Sequence, residues 1–247
     1  MHGALRLRWV AGLVLGALLG LWLAGGAAAA QSDLVDTARF KKSPPYVIGL
    51  SNISVVNSWR VAMVEEFKAA VERHRDLIRA YYITDAGGSI PKQIADVEDL
   101  VAKGVDALLI TAASPTALAP VVERVMERGI PVVTFDNVVQ SDKIFTLLAD
   151  QEELGAFMAR GIAEYLGGRG TVVALGGIAG TSSAVNRWRG ASRVFMQYPG
   201  IRILGPNWVD WAYDKAKRAM ENYIATNPNI DAVWTDGGGS ANGAIQA

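Results

Sequence analysis

No cysteine occurs in the 247-residue chain. A disulfide framework is therefore excluded, and stability has to come from an apolar core. Histidine is almost as scarce, with two in the chain. His2 lies at the extreme N-terminus, and His74 sits in Glu72-Arg73-His74-Arg75-Asp76, which reads as a solvated helix end. No carboxylate–His–nucleophile set can be placed around His74. A zinc site would need carboxylates alone, which is unusual, so neither metal nor cofactor is expected. An excess of either charge is missing too, with 24 Lys+Arg against 24 Asp+Glu. No face is forced to be basic, and nucleic acid is not an expected partner. What the chain does have is core material. Hydrophobic residues make up 51% and charged residues 19%, enough for one large or two modest domains.

The N-terminus is set apart. Arg6 and Arg8 precede an apolar block, Val10 to Leu23, and Ala28-Ala29-Ala30 supplies small residues before Gln31. That is the layout of a cleavable secretory signal over residues 1–30. The competing reading is an uncleaved anchor, since Val10 to Ala30 is long enough to span a bilayer. The Gly- and Ala-rich final third favours the signal, and with it a periplasmic destination. Residues 31–45, ending in Lys41-Lys42-Ser43-Pro44-Pro45, read as an extended lead-in.

From Tyr46 the chain alternates strand-like and helix-like segments. Strands are predicted at Tyr46–Ser51, Leu77–Thr84, Val105–Thr111, Pro131–Phe135, Ile144–Ala149, Thr171–Leu175, Ile201–Leu204 and Asp231–Thr235. Helices are predicted at Ser58–His74, from Ser89 to Gly104, Pro115–Arg128, from the cap Asp150 through Tyr165, Ser183–Met196 and Tyr213–Ala225. Repeated strand–helix units imply parallel sheets covered on both faces by crossover helices. The expected fold is α/β, with two similar doubly wound lobes over 46–149 and 150–247. Ser240–Ala247 begins a helix with no strand after it, so the second lobe is expected to be incomplete and the chain truncated.

The stretch Gly176-Gly177-Ile178-Ala179-Gly180-Thr181-Ser182 follows an apolar strand and precedes a helix. A phosphate-binding loop there would need a Lys followed by Ser or Thr, and no Lys is present. A dinucleotide loop needs Gly-x-Gly-x-x-Gly and an acid after the next strand. The glycine spacing differs, and the next strand runs into Leu204-Gly205-Pro206 without an acid. A nucleotide is disfavoured.

Ligands of doubly wound sheets bind at the carboxyl ends of the strands. In chain order those ends carry Asn57, Trp59 and Arg60; Asp85; Thr111 and Ser114; Asp136 and Asn137; Ile178 with Arg187; Asp210 with Trp211; and Asp236. Carboxylates and arginines offer paired directional hydrogen bonds to hydroxyls. Indole faces cover the C–H faces of a sugar ring. A nucleophile–base pair is lacking, so the set suits a polyol that is bound and not transformed. Each residue has a plainer alternative. Asp85 and Asp150 fit turns or caps, Trp59 and Trp211 fit a core, and Arg60 and Arg187 fit helix surfaces. Asp136 stands out, because it closes the apolar strand Val132-Val133-Thr134-Phe135, where a carboxylate needs a reason.

Over Tyr46 to Ala247 the sequence resembles the type I periplasmic sugar-binding proteins, the ribose-binding-protein group that serves ABC importers. The resemblance is carried by Gly177-Ile178-Ala179-Gly180-Thr181-Ser182 with Arg187 and Gly190, by Asn57-Ser58-Trp59-Arg60, by Lys103-Gly104-Val105-Asp106-Ala107, by Ile130-Pro131-Val132 ending in Asp136, and by Gly243-Ala244. It implies two lobes joined by a hinge, with three crossings between them. It also implies sugar contacts from Asn57, Trp59, Arg60, Asp136, Ile178, Arg187 and Trp211, and one from Asp236 or Gly237. Three positions depart from the ribose pattern: Arg60 replaces a stacking aromatic, Asn137 an Arg and Thr111 an Asn. A hexose, another polyol or a sugar acid therefore stays open. The resemblance implies a non-enzymatic binding protein partnered by a membrane permease. The alternatives are a sensory module for a chemoreceptor or sensor kinase and a cofactor-using α/β enzyme.

Overall fold

The structure, a computed structural model, describes residues 37–247. The expected signal over 1–30 and the first part of the lead-in lie outside the described residues. A single turn of 3-10 helix, Ala38–Phe40, precedes the first strand.

Strands and helices alternate from there. In order they are β1 (Tyr46–Asn52), α1 (Ser58–Arg73), β2 (Ile78–Asp85), α2 (Ile90–Ala102), β3 (Ala107–Ile110), α3 (Ala119–Glu127), β4 (Val132–Phe135) and β5 (Phe145–Leu147). Then follow α4 (Gln151–Tyr165), β6 (Arg169–Gly176), α5 (Ser182–Phe195), β7 (Gly200–Trp208), α6 (Tyr213–Thr226), β8 (Ala232–Thr235) and α7 (Gly238–Ile245). Local chemistry sets the helix starts. Asn57, Ser89 and Asp150 each accept a first-turn amide, from Arg60, Lys92 and Glu153. Gly104 and Gly129, at φ 76° and 79°, let the chain leave α2 and α3 through the left-handed region.

Every strand pairing is parallel. The first sheet has the order β2-β1-β3-β4-β5 and the second β7-β6-β8. The centre of each is built alike: the first strand of the unit lies between the second and the third. Both sheets are doubly wound. Among the described residues the second sheet has no counterparts of β4 and β5. One core, with Leu108, Ile110, Leu118, Val122 and Val132, serves the first sheet. Two cores flank the second, one around Trp234, Val172, Ala174 and Phe195 and one around Val173, Leu175 and Met220. Both sheets fall within one compact unit, Phe40–Ala247.

Two elements differ from their predicted spans by a full turn's worth of residues at one end, and the others agree closely. The helix expected from Pro115 starts at Ala119, because the Ser114 hydroxyl accepts the Ala117 amide at 3.1 Å and holds a turn there. The strand expected to stop at Leu204 runs on to Trp208. A register shift opposite Val173–Leu175 absorbs Gly205-Pro206, and Asn207 and Trp208 then pair with Leu175 and Gly176. Proline is tolerated because β7 is an edge strand and the irregularity needs no amide from it. This extension shapes the site. Beyond β7, the Val209 and Asp210 amides still bond to the Gly176 and Gly177 carbonyls, which lays Trp211 beside the glycine loop.

Candidate functional site

The parallel registers bring the carboxyl ends of the strands to common edges, with Asn52 beside Asp85 and Leu175 beside Thr235. A cleft of about 220 Å³ opens there. The first sheet contributes Asn57, Ser58, Trp59, Arg60 and Asp136; the second contributes Arg187, Trp211, Asp236 and Gly237–Gly239. The volume is on the scale of a monosaccharide and well below that of a dinucleotide.

Asn57 spends its Oδ1 on the Arg60 amide at 3.0 Å, as the cap of α1. That cap fixes the first turn. Trp59 lies at the rim, 54% exposed, with the Arg60 guanidinium 5.0 Å from its ring centroid. Arg60 is only 2% exposed, and its Nη2 donates to Asp136 Oδ2 at 2.8 Å. Burial pulls the Arg60 guanidinium below its ordinary value, and Asp136 opposes that pull. Asp136 holds a left-handed backbone, φ 59°, a conformation that a non-glycine residue adopts at a cost. The turn aims its carboxylate at both arginines: Arg187 Nη2 stands 3.8 Å from Oδ1.

Arg187 reaches the cleft from α5, whose position is set by close contact with α4. A Cβ on Gly155 would stand 1.9 Å from the Arg187 carbonyl oxygen, and one on Gly190 would stand 1.8 Å from that of Glu152. With no side chain between them, the two helices touch. Gln151 at the start of α4 then accepts Arg187 Nε at 2.6 Å, while Nη1 donates to the Asp236 carbonyl at 2.7 Å.

Trp211 is 6% exposed and slotted between two glycines. A Cβ on Gly177 would stand 2.0 Å from its Cε2, and one on Gly237 would stand 2.5 Å from its Cδ1. Its indole N–H donates to Asp236 Oδ1 at 2.9 Å, and the Gly177 amide donates to Oδ2 at 3.1 Å. Burial pushes the Asp236 carboxyl up to about 6, against the opposing effects of Arg187, the Gly177 amide and the Trp211 indole. The glycine loop is thus a slot for an indole ring. No phosphate cradle is involved.

Seven residues expected at the site line the cleft: Asn57, Trp59, Arg60, Asp136, Arg187, Trp211 and Asp236. Thr111, Asn137 and Ile178 do not. Thr111 is buried; its Oγ1 donates to Asn52 Oδ1 at 3.0 Å and accepts the Ile53 amide at 3.2 Å. Asn137 is also buried, with Oδ1 taken by the Ser183 amide at 3.2 Å and Nδ2 donating to Asp136 at 3.3 Å. The Ile178 carbonyl closes its own turn by accepting from Thr181. Asp85 and Asp150 serve a turn and a cap, accepting the Gly87 and Glu153 amides. Gly237, the alternative to Asp236, lines the cleft as well; Ser58, Gly238, Gly239 and the supporting Gln151 were not expected. Among the described residues, no group of three His, Cys, Asp or Glu could hold a metal ion.

Chemically, the cleft balances two guanidiniums against two carboxylates. Its donors and acceptors stand in fixed pairs, and an indole face lies at the mouth. Hydroxyl groups, which both donate and accept, match such pairs.

Comparison with known proteins agrees with this geometry. Residues 48–247 match the periplasmic binding protein domain family. The ribose import binding protein of Bacillus subtilis (strain 168) is 33% identical over 204 residues, covering 82% of this chain and 65% of that protein. The xylitol-binding protein of Mycolicibacterium smegmatis is 30% identical over 164 residues, covering 66% and 47%. The chain thus spans about half to two thirds of the length of these relatives. Among solved structures, the fructose-binding periplasmic domain of a hybrid two-component system superposes with a TM-score of 0.75 at 31% identity, covering 81% of this chain and 66% of that one. The family and these relatives are binding proteins, which sets aside the cofactor-using enzyme. The chain belongs to the periplasmic binding protein domain family, on its type I fold.

Proposed function

We propose that the cleft captures a neutral sugar or polyol, and that the chain is the exported solute-binding component that delivers it to the membrane permease of an ABC importer. The observation that carries this reading is the balance of the Arg60 and Arg187 guanidiniums against the Asp136 and Asp236 carboxylates, around the exposed indole of Trp59. Charges balanced in this way leave no net field for an anion, and they offer short directional bonds to hydroxyls. Trp59 supplies a stacking face at the rim, worth about 1 kcal/mol beyond the area it covers.

The reading keeps residues 1–30 as a secretory signal, 31–45 as a lead-in, and 46–149 and 150–247 as lobes that close on the ligand. Export rests on Arg6, Arg8 and the apolar block after them. Arg60 and Asn137, which depart from the ribose pattern, are both tied to Asp136 in the cleft wall. A pocket rebuilt at those positions favours a hexose or a reduced polyol over ribose.

A thermal-shift panel of D-ribose, D-xylose, xylitol, D-fructose and D-galactose tests the reading. At a hundred times its dissociation constant, a bound sugar stabilises by about 2.7 kcal/mol, which is about 5–10 °C for a chain of this size. No shift with any of them, together with a shift from ATP or NAD, would overturn it. Similarity to the sensor-linked fructose-binding domain supports a second reading, a sensory module. Pull-down of the sugar-loaded chain with a permease or with a sensor kinase separates the two.

A further inference from the structure

We propose that Asn137, Ser182 and Ser183 form a clamp that crosses between the two sheets and holds the cleft assembled. None of the three lines it. Val138, just after Asn137, donates its amide to Ser182 Oγ at 2.8 Å. Ser183 Oγ donates to the Asp136 carbonyl at 2.6 Å, and the Ser183 amide donates to Asn137 Oδ1 at 3.2 Å. The two sides belong to different cores. Asn137 is held to the first sheet, its carbonyl accepting the Ala112 amide at 2.7 Å, and Val139 packs in that sheet's core. Helix α5 packs on the second sheet through Ala191, Val194 and Phe195.

The bonds have the character of a cap supplied from outside the helix. First-turn amides of a helix have no partner within it. The N-cap of α5, Thr181, makes no side-chain cap bond; its hydroxyl donates to the Ile178 carbonyl at 2.8 Å instead. Asn137 takes over that role from the other sheet. Asn137 and Ser183 are both fully buried, so separating the sheets leaves these groups unpaired until water enters. Two arrangements satisfy them, one clamped and dry, the other open and wet. Such a pair of states is what a ligand can shift.

The clamp is anchored on Asp136, the residue whose carboxylate faces both arginines of the cleft. Ser183 fixes its carbonyl and Asn137 touches its carboxylate at 3.3 Å. Asn137, Ser182 and Ser183 are positioning residues. They act on the ligand through Asp136 and through closure.

Only its affinity arm rests on the sugar reading. The absence of cysteine lets spin labels be placed at will: Glu127→Cys on the exposed side of α3, and Met196→Cys, exposed at the end of α5. Pulsed electron–electron distances are measured on the full chain without ligand. The unsubstituted chain is expected to show a short, clamped separation in exchange with a longer, open one. With Asn137, Ser182 and Ser183 all changed to Ala, the longer population is expected to take over, the closed-to-open ratio falling about tenfold for each buried bond lost. Ser182→Ala alone, at a half-buried position where the fold is safe, is expected to move the ratio part of the way. Unchanged distances in both variants, or a wild type with no short population, overturn the clamp. Calorimetry with D-ribose and xylitol adds the second arm. A drop in affinity matching the drop in closed ratio supports the clamp, and a drop without any change in distance overturns it. If neither sugar binds wild type, only the affinity arm is lost; the sugar reading is decided by the full panel, and the distances still decide on the clamp.

Discussion

Asp136→Asn is the most informative single change at the cleft. Asparagine keeps the size of the side chain and tolerates the left-handed backbone at φ 59°, so the substitution removes charge and little else. The charge it removes is the counter-ion of Arg60, whose side chain is 3% exposed. Arg187 stands 3.8 Å from the same carboxylate, and its charge disfavours that of Arg60. Breaking a buried pair by removing one partner costs about 3–5 kcal/mol. The carboxylate is itself 16% exposed, and the new amide oxygen can still accept one bond from Arg60. The expected loss is therefore about 3 kcal/mol, the lower end of that range. Against a total stability of about 5–15 kcal/mol, such a loss moves a urea midpoint by about 1 M or more at the usual slopes. Arg60→Met combined with Asp136→Asn takes the stranded cation away and is expected to regain most of the loss. A single variant within 1 kcal/mol of wild type, or a double variant no better than the single one, would refute the assignment of this pair as a buried, mutually dependent unit.

Asp236 supplies a pH test. Its folded pKa of about 6 lies above the ordinary 3.8, so the folded state binds the proton more tightly and this group's contribution to stability rises as pH falls through 6. The stability of wild type relative to Asp236→Asn is expected to grow by about 1 kcal/mol between pH 7 and pH 5, read from urea melts at the two pH values. A difference independent of pH refutes the shift. Gly177→Ala places a Cβ 2.0 Å from the Trp211 ring, and differential scanning should show a loss of about 1–3 kcal/mol or more from overpacking. Trp59→Ala and Arg187→Ala should separate in kind. Trp59, at the rim, is expected to leave the melting temperature alone and to weaken sugar binding about fivefold by calorimetry. Arg187, which gives up charged hydrogen bonds, is expected to weaken it about ten- to hundredfold.

The strand-end residues were legible because of the sheet type. Parallel strands send all their carboxyl ends to one edge, so a residue's place after a strand predicts its neighbourhood without knowledge of its partners. Asn57, Arg60, Asp136, Arg187 and Asp236 converge on the cleft for that reason. Where the expectation failed, a distant partner decided. Thr111 follows a strand as well, but its hydroxyl turns inward to Asn52, and its carbonyl accepts from the buried Gln93 on α2. Asn137 turns to Ser183, 46 residues away. A one-dimensional reading knows that a polar residue stands at a strand end, but not which inward partner competes for it. Gln151 shows the same gap from the other side. Its bond to Arg187 depends on Gly155 and Gly190 each letting the backbone of the other helix come close, a coincidence that is visible only once the helices are packed.

The glycine loop after β6 shows how much such partners can change a meaning. Read alone, Gly176-Gly177 before a helix invites an anion, and only the absence of a Lys, the glycine spacing and the missing acid argue against one. In the folded chain, Gly177 and Gly237 lie on the two sides of Trp211. The ring gets there because β7 runs on past Pro206 and its extension stays bonded to Gly176 and Gly177. Gly177 is therefore a packing requirement set by a residue more than thirty positions downstream. The ring that the two glycines admit is locked by Asp236, whose carboxylate takes both the indole N–H and the Gly177 amide and whose carbonyl takes Arg187. One buried acid thus ties the loop, the indole and the arginine of α5 into a single wall. That wall faces Asp136 and Arg60 on the other sheet, so a solute held in the cleft touches two preformed surfaces, and its affinity follows how firmly those surfaces are kept together.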